Sequence, residues 1–187
     1  MNFTVRKQPF SLIKETAIFN DHKKNFLTAT LKPYKLKEEI TIYNGKQELI
    51  LKVISKSTLN ISQTFFVFDQ KGNQLGTIKK DNINSLFLYD KWIILDKNKQ
   101  EIIKILDSDK TSNILEKYVP LFEILRKKTF LIVNKKNLEI GTIKTNRAIF
   151  FKKLNCEIKN QQIKDQQEEI DSNLFYALTS LLILLEE

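Results

Sequence analysis

The sequence predicts a mainly β protein: a closed antiparallel barrel, built from two similar halves, wide enough to enclose a hydrophobic C-terminal helix. Three observations carry that expectation. Most of the chain reads as short runs rich in Ile, Val, Phe, Tyr and Thr separated by Asn, Asp, Lys and Gly, the signature of evenly spaced strands. A sixteen-residue stretch recurs once. The chain then ends on an apolar segment, Leu174 to Leu185, interrupted only by Thr179 and Ser180.

The strand candidates run in order as NFLTATL, EITIY, ELILKVI, TFFVFD, LGTIKK, SLFLY, WIILD, EIIKIL, TFLIVN, EIGTIK and AIFFKKL. β-Branched and aromatic residues at period two suit a pleated, half-buried surface. Turn chemistry joins several of them. YNGK places Asn44 and Gly45 where a two-residue hairpin turn with positive φ is expected, while DQKGNQ and DKNKQ suit slightly longer loops. Asp69 and Asp96 fall at strand-to-turn junctions, where a carboxylate accepts from backbone amides.

The recurrence is TFFVFDQKGNQLGTIK (64–79) against TFLIVNKKNLEIGTIK (129–144), ungapped, with seven of sixteen positions identical. Two copies at an offset of 65 make a duplicated hairpin rather than a solenoid array. If Lys79 and Lys144 point to water, alternation sends Gly76 and Ile78, and likewise Gly141 and Ile143, inward. Glycine in a strand marks either a close backbone approach, here by the central helix, or a β-bulge. Between the copies, Ser108 or Thr111 is a candidate cap for a short helix through SNILEKYV, ended by Pro120. The expected organisation is a single domain, 1–187, with halves around 26–107 and 120–160 and a helix over 171–187.

The terminal segment is too short to cross a bilayer. Twelve residues make a helix of about 18 Å, whereas a hydrocarbon core spans roughly 30 Å. Asp171, Ser172 and Asn173 supply cap candidates, and apolar residues follow at nearly every position, so the helix must be buried on all sides. A closed barrel of about eleven or more strands has room for it. The strand runs number about that many.

Composition narrows the function. With 42% apolar and 28% charged residues the chain has globular composition. Gly numbers only 4 and Pro 3, which excludes collagen-like sequence and a Gly-rich phosphate loop. Cys156 is the sole cysteine and is expected in a strand as a small buried hydrophobe; a disulfide framework is ruled out and a reducing compartment fits. The opening MNFTVRKQPF lacks the apolar core of a secretory signal, so a cytoplasmic location is expected, peripheral at a membrane. His22, the only histidine, sits in polar FNDHKKN and reads as a surface turn, and Trp92 as core or barrel wall. No arrangement of these residues specifies a reaction, no cofactor is implied, and DSDK (107–110) lacks the ligand spacing of an EF-hand.

The net charge of +9 is uneven: residues 120–160 hold 10 Lys/Arg against 3 Asp/Glu. Lys79, Lys80, Lys144, Arg147, Lys152 and Lys153 lie at or near strand ends in the two halves, placed to converge on an anion. In PLFEILRKK, apolar Phe122 beside Arg126, Lys127 and Lys128 is a combination suited to a membrane interface. The alternative for both groups is packing plus a solvated lysine-rich surface.

The pattern ELILKVISKS…TFFVFDQKGNQLGTIKK, then WIILDKNKQEIIKI, a linker, a second strand-turn-GTIK unit and an apolar helix opening at Asp171 resembles the scramblase and LURP-one-related branch of the tubby C-terminal-like superfamily, over residues 26–187. The resemblance implies a barrel of about twelve antiparallel strands around a hydrophobic helix. It also implies association with phosphoinositides or other anionic phospholipids. Departures limit it: there is no proline-rich N-terminal arm, no cysteine cluster for palmitoylation and no calcium loop, so lipid scrambling is not expected. No tubby headgroup position aligns here, and none is carried over. The leading expectation is a non-enzymatic binding domain for anionic phospholipid; a protein-interaction or structural module is the alternative, and nucleic-acid binding ranks below both.

Overall fold

A computed structural model describes residues 1–8, 14–22, 24–32, 38–56, 63–80, 91–108, 128–148, 151–159 and 170–185. Twelve strands close into an antiparallel barrel around a single described helix. In chain order they are β1 (Asn2–Lys7), β2 (Glu15–Asn20), β3 (Asn25–Leu31), β4 (Glu39–Asn44), β5 (Leu49–Ser55), β6 (Thr64–Asp69), β7 (Gln74–Lys80), β8 (Lys91–Asp96), β9 (Glu101–Asp107), β10 (Thr129–Asn134), β11 (Glu139–Ala148) and β12 (Phe151–Ile158), followed by α1 (Ser172–Leu184). Each strand pairs with its chain neighbours, and β1 with β12 seals the ring. Closure leaves no sheet edge exposed.

Two strands were not anticipated. NFTVRK and ETAIFN form β1 and β2, with Phe3, Val5 and Ile18 facing the core. AIFFKKL is not one strand: β11 ends at Ala148 and β12 starts at Phe151, and the alternation of Leu154, Cys156 and Ile158 inward continues through NCEIK. SLFLY and the expected linker helix SNILEKYV lie outside the described residues.

One barrel end is made of five hairpins of a single construction. In each, an Asn or Asp at the end of the first strand takes its own N–H to the carbonyl four residues on: Asn20 to Lys24, Asn44 to Glu48, Asp69 to Asn73, Asp96 to Gln100 and Asn134 to Leu138. The side-chain Oδ1 of that residue accepts from the backbone N–H groups two and four positions later, at 2.8–3.1 Å. The third loop residue is left-handed where described, at Gln47 (φ 63°), Gly72 (84°), Lys99 (64°) and Asn137 (58°). These are three-residue loops, each followed by a bulge in the second strand. The two-residue turn expected at Asn44-Gly45 is therefore corrected. Asn44 stays in β4, where its carboxamide can close the Asx turn, and the positive φ moves to Gln47. The recurring sixteen-residue stretches are two of these hairpins, β6–β7 and β10–β11, with β8 and β9 between them in the ring.

α1 runs down the interior from this hairpin end. Asp171 is its N-cap, Oδ1 accepting from Asn173 N at 2.9 Å. Leu174, Phe175 and every residue from Ala177 to Leu184 are buried, Leu178 fully. The polar interruptions are satisfied within the helix: Thr179 donates to Phe175 O at 2.8 Å and Ser180 to Tyr176 O at 2.7 Å. This removes the cost of placing two hydroxyls in an apolar interior. The half-buried Tyr176 packs edge-on to the wall rings of Phe3 and Phe26.

Gly76 and Gly141 face inward as alternation requires, but for different reasons. A Cβ on Gly76 would lie 2.5 Å from Leu95 O and 3.0 Å from a methyl of Leu174 on the helix; the nearest atoms to one on Gly141 are Glu157 O and Ile158 Cα of β12. Both also adjoin bulges. Close approach by the helix is seen at Gly76, whereas β12 supplies the nearest contacts at Gly141.

Candidate anion-binding cleft

The barrel end opposite the hairpins is where α1 finishes, exposing carbonyls with a partial negative charge. Its last turn contains no basic residue. The barrel supplies one: Lys152 Nζ of β12 donates to Leu182 O at 2.8 Å. Lys152 sits on the inward side of its strand, in register with Leu154 and Cys156 below it, and pairs with Arg147 of β11. Its half-buried ammonium therefore serves the helix C-terminus.

The neighbouring outward row is different. Alternation turns Lys153 to the outer wall, where it pairs with Arg6 of β1, which in turn pairs with Ala17 of β2. A cleft of about 520 Å³ opens along these three strands. Arg6, Lys7, Lys152 and Lys153 line it, of which Arg6 and Lys153 belong to the outward row, with Ala17 and Phe19 as its apolar floor and Gln8 and Asn25 as further polar groups. The Arg6 guanidinium lies 5.0 Å from the centre of the Phe19 ring, a cation–π contact that holds it over the floor. No carboxylate lines the cleft among the described residues. Two outward cations, Arg6 and Lys153, without a lining acid favour a bound anion, and Arg6 offers a planar fork for two phosphate oxygens.

The six basic residues singled out from sequence do not converge. Lys153 and Lys152 are on the cleft, the latter engaged by α1. Arg147 is on β11 opposite Lys152, with its side chain outside the described residues. Lys144 is exposed beside a second hollow of about 390 Å³ that also contains Asp21 and Glu157, an electrostatically mixed site. Lys79 and Lys80 are on β7, separated from β11 by β8, β9 and β10. Lys79 is exposed, and Lys80 Nζ sits 5.3 Å from the ring centre of the fully buried Trp92. Of the expected membrane-contact group, Phe122, Arg126 and Lys127 lie outside the described residues. Lys128 is only 8% exposed, its backbone N–H and C=O both bonded to Thr145.

Arg6 and Lys7 were missed because β1 was not recognised. The signal was present: Phe3 and Val5 alternate with Thr4 and Arg6 in NFTVRK. His22 and Cys156 lie in the settings their sequence contexts suggested. His22 is exposed on a turn, its N–H donating to Asn20 Oδ1. Cys156 is buried, and desolvation pushes its thiol up to about 12, far from thiolate reactivity. Among the described residues no group of three or more His, Cys, Asp or Glu is placed to hold a metal ion, and no helix is long and apolar enough to cross a membrane.

A family model described as LURP-one-related matches residues 25–179. No curated protein and no solved structure gives a match. The matched span begins at Asn25, so it contains Lys152 and Lys153 but leaves out β1 and β2, the strands that bring Arg6, Lys7, Ala17 and Phe19 to the cleft.

Proposed function

The chain belongs to the LURP-one-related family of the tubby-like superfamily, and on that premise we propose that it is a non-enzymatic binding domain whose Arg6–Lys153 cleft takes the phosphate of an anionic phospholipid headgroup. The observation that carries this reading is the cleft itself: basic side chains from adjacent strands over an apolar floor, with no carboxylate among the described lining residues. Arg6 and Lys153 hold phosphate oxygens by charge-assisted hydrogen bonds. Ala17 and Phe19 accept the first acyl carbons, which are worth about 0.8 kcal/mol per buried CH₂. A non-catalytic role accords with the interior, which α1 fills with buried side chains, and with a cysteine held as a neutral thiol. Such a domain works at the membrane surface from the cytoplasmic side, where anionic lipids are concentrated.

The test is calorimetric titration with a soluble, short-chain phosphatidylinositol phosphate below its micelle concentration. Wild type is expected to bind, and the double variant Arg6→Glu/Lys153→Glu to lose at least about tenfold, since each charge-assisted hydrogen bond contributes about 1.5–3 kcal/mol. Absence of binding by wild type, or equal binding by the variant, overturns the proposal. A protein-interaction module with no lipid ligand is the reading that would then stand.

A further inference from the structure

The five hairpins share one construction, so their tips can be compared position by position. The residue four places after the Asx is Lys24, Glu48, Asn73, Gln100 and Leu138 in turn. Four are polar, as exposed loop positions are. Leu138 is 55% exposed and is the one exposed large hydrophobic side chain among the described residues. Its backbone N–H meets the same Asx acceptor as the others, so the turn itself has no need of an apolar side chain there. Next to it on the same tip stand Lys135 and Lys136, both exposed. β9 and β10 are paired neighbours, which brings the β8–β9 tip, with exposed Lys97 and Lys99, alongside. Lys104 Nζ reaches Asn137 Oδ1 at 3.4 Å between the two hairpins.

We infer that these two adjacent tips are a membrane-docking edge: Leu138 enters the headgroup layer of an anionic bilayer while the surrounding lysines meet lipid phosphates and carboxylates. A single leucine contributes little by itself, and lysines alone bind weakly. Together they form the two-part signal that interfacial attachment requires. Charge complementarity favours a bilayer over a neutral protein surface. Lysines spread over two rigid turn tips suit diffuse lipid charge, since a compact strongly hydrated ammonium acts as a point charge with no demand for fixed partner geometry. The edge is distinct from the cleft: it stands on the β8–β9 and β10–β11 tips at the hairpin end, whereas Arg6 and Lys153 lie on β1 and β12 toward the other end of the barrel. The inference goes beyond headgroup recognition in the cleft and does not depend on it.

The experiment uses the full chain carrying Leu138→Trp, at a site exposed enough to accept the larger ring; circular dichroism confirms the fold. Its fluorescence, corrected for Trp92 with the wild-type spectrum, is recorded with phosphatidylcholine vesicles with and without phosphatidylserine. A blue shift with the serine lipid, absent with phosphatidylcholine alone and diminished by salt because exposed charges are screened, is the expected result. Lys135→Glu/Lys136→Glu in wild type should weaken sedimentation with the same vesicles by about 30-fold or more, from about a fivefold contribution per lysine near an anionic surface. Arg6→Glu/Lys153→Glu should leave the blue shift in place. An unshifted spectrum, or sedimentation unaffected by the lysine reversals, overturns the docking edge. Because the cleft is tested with a monomeric lipid and the edge with vesicles lacking phosphoinositide, failure of one is separable from failure of the other.

Discussion

Replacing Lys152 by Met separates a structural cation from a ligand-binding one. The substitution keeps the aliphatic stem and removes the ammonium that donates to Leu182 O at 2.8 Å. A hydrogen bond to a charged group contributes about 1.5–3 kcal/mol, and a cation at a helix C-terminus about 0.3–1 kcal/mol. The two overlap here, and Lys152 is only half-buried, so water partly compensates for the loss. The expected destabilisation is about 1–2 kcal/mol. Against a total stability of roughly 5–15 kcal/mol, that is readily measured by urea denaturation, as a lower midpoint at unchanged slope. Lys153→Met, one residue away but facing outward, should change stability by less than about 0.5 kcal/mol, as surface substitutions usually do. Headgroup titration should show the reverse order, with Lys153→Met the more damaged. If Lys152→Met is no less stable than Lys153→Met, the assignment of Lys152 to the helix end is wrong.

Truncation before Asp171 removes the buried side chains of α1 and should leave insoluble or molten protein; a sharp near-UV circular dichroism spectrum from the truncate would contradict the filled-barrel account. Gly76→Ala should cost about 1–3 kcal/mol, the usual range for overpacking, because the new Cβ meets the backbone carbonyl of Leu95. Shortening Leu174 to Ala in the same protein should not restore the loss, and recovery of thermal stability would show the helix contact to be the limiting one. Asp69 is held below the ordinary carboxylate range, chiefly by Asn73's side-chain amide and also by backbone amides. With the folded pKa depressed, its contribution is present above the unfolded value of about 3.9 and is lost as pH falls through the lower folded value. Asp69→Asn keeps the Asx acceptor used by Asn44 and Asn134, so its melting temperature should fall less than wild type's between pH 5 and pH 2 (about the window set by that shift); identical acid profiles would rule out the linkage.

The barrel was legible because its determinants are local. Val, Ile and Phe at period two mark β3 to β11, and an apolar run without a stripe can only be an enclosed helix. Asp69 and Asp96 announced their turns through the chemistry of a carboxylate at a strand end. What escaped was relational. The repeat of 64–79 at 129–144 is visible as identity, whereas the other three hairpins share only an Asx, with a left-handed third loop residue at Gln47 and at Lys99 in the two where that residue is described. Nothing in those side chains advertises positive φ. The cleft depends on β1 meeting β12 across most of the chain's length, a pairing that no window of sequence contains. The inward or outward sense of Lys152 and Lys153 is readable from Leu154 and Cys156, yet that one of them reaches a carbonyl of α1 requires the depth of the helix in the barrel.

α1 follows all twelve strands in the chain and occupies their common axis. During synthesis the strands therefore emerge before anything exists to fill the space between them, and they hold a lining of bare isoleucine, valine and phenylalanine until the plug is delivered. Sealing the cylinder further requires Arg6 to find Lys153, a contact of very long sequence separation, which slows folding. Maturation should accordingly be late and all-at-once, with a vulnerable interval in which a chaperone that shields apolar surface is most needed.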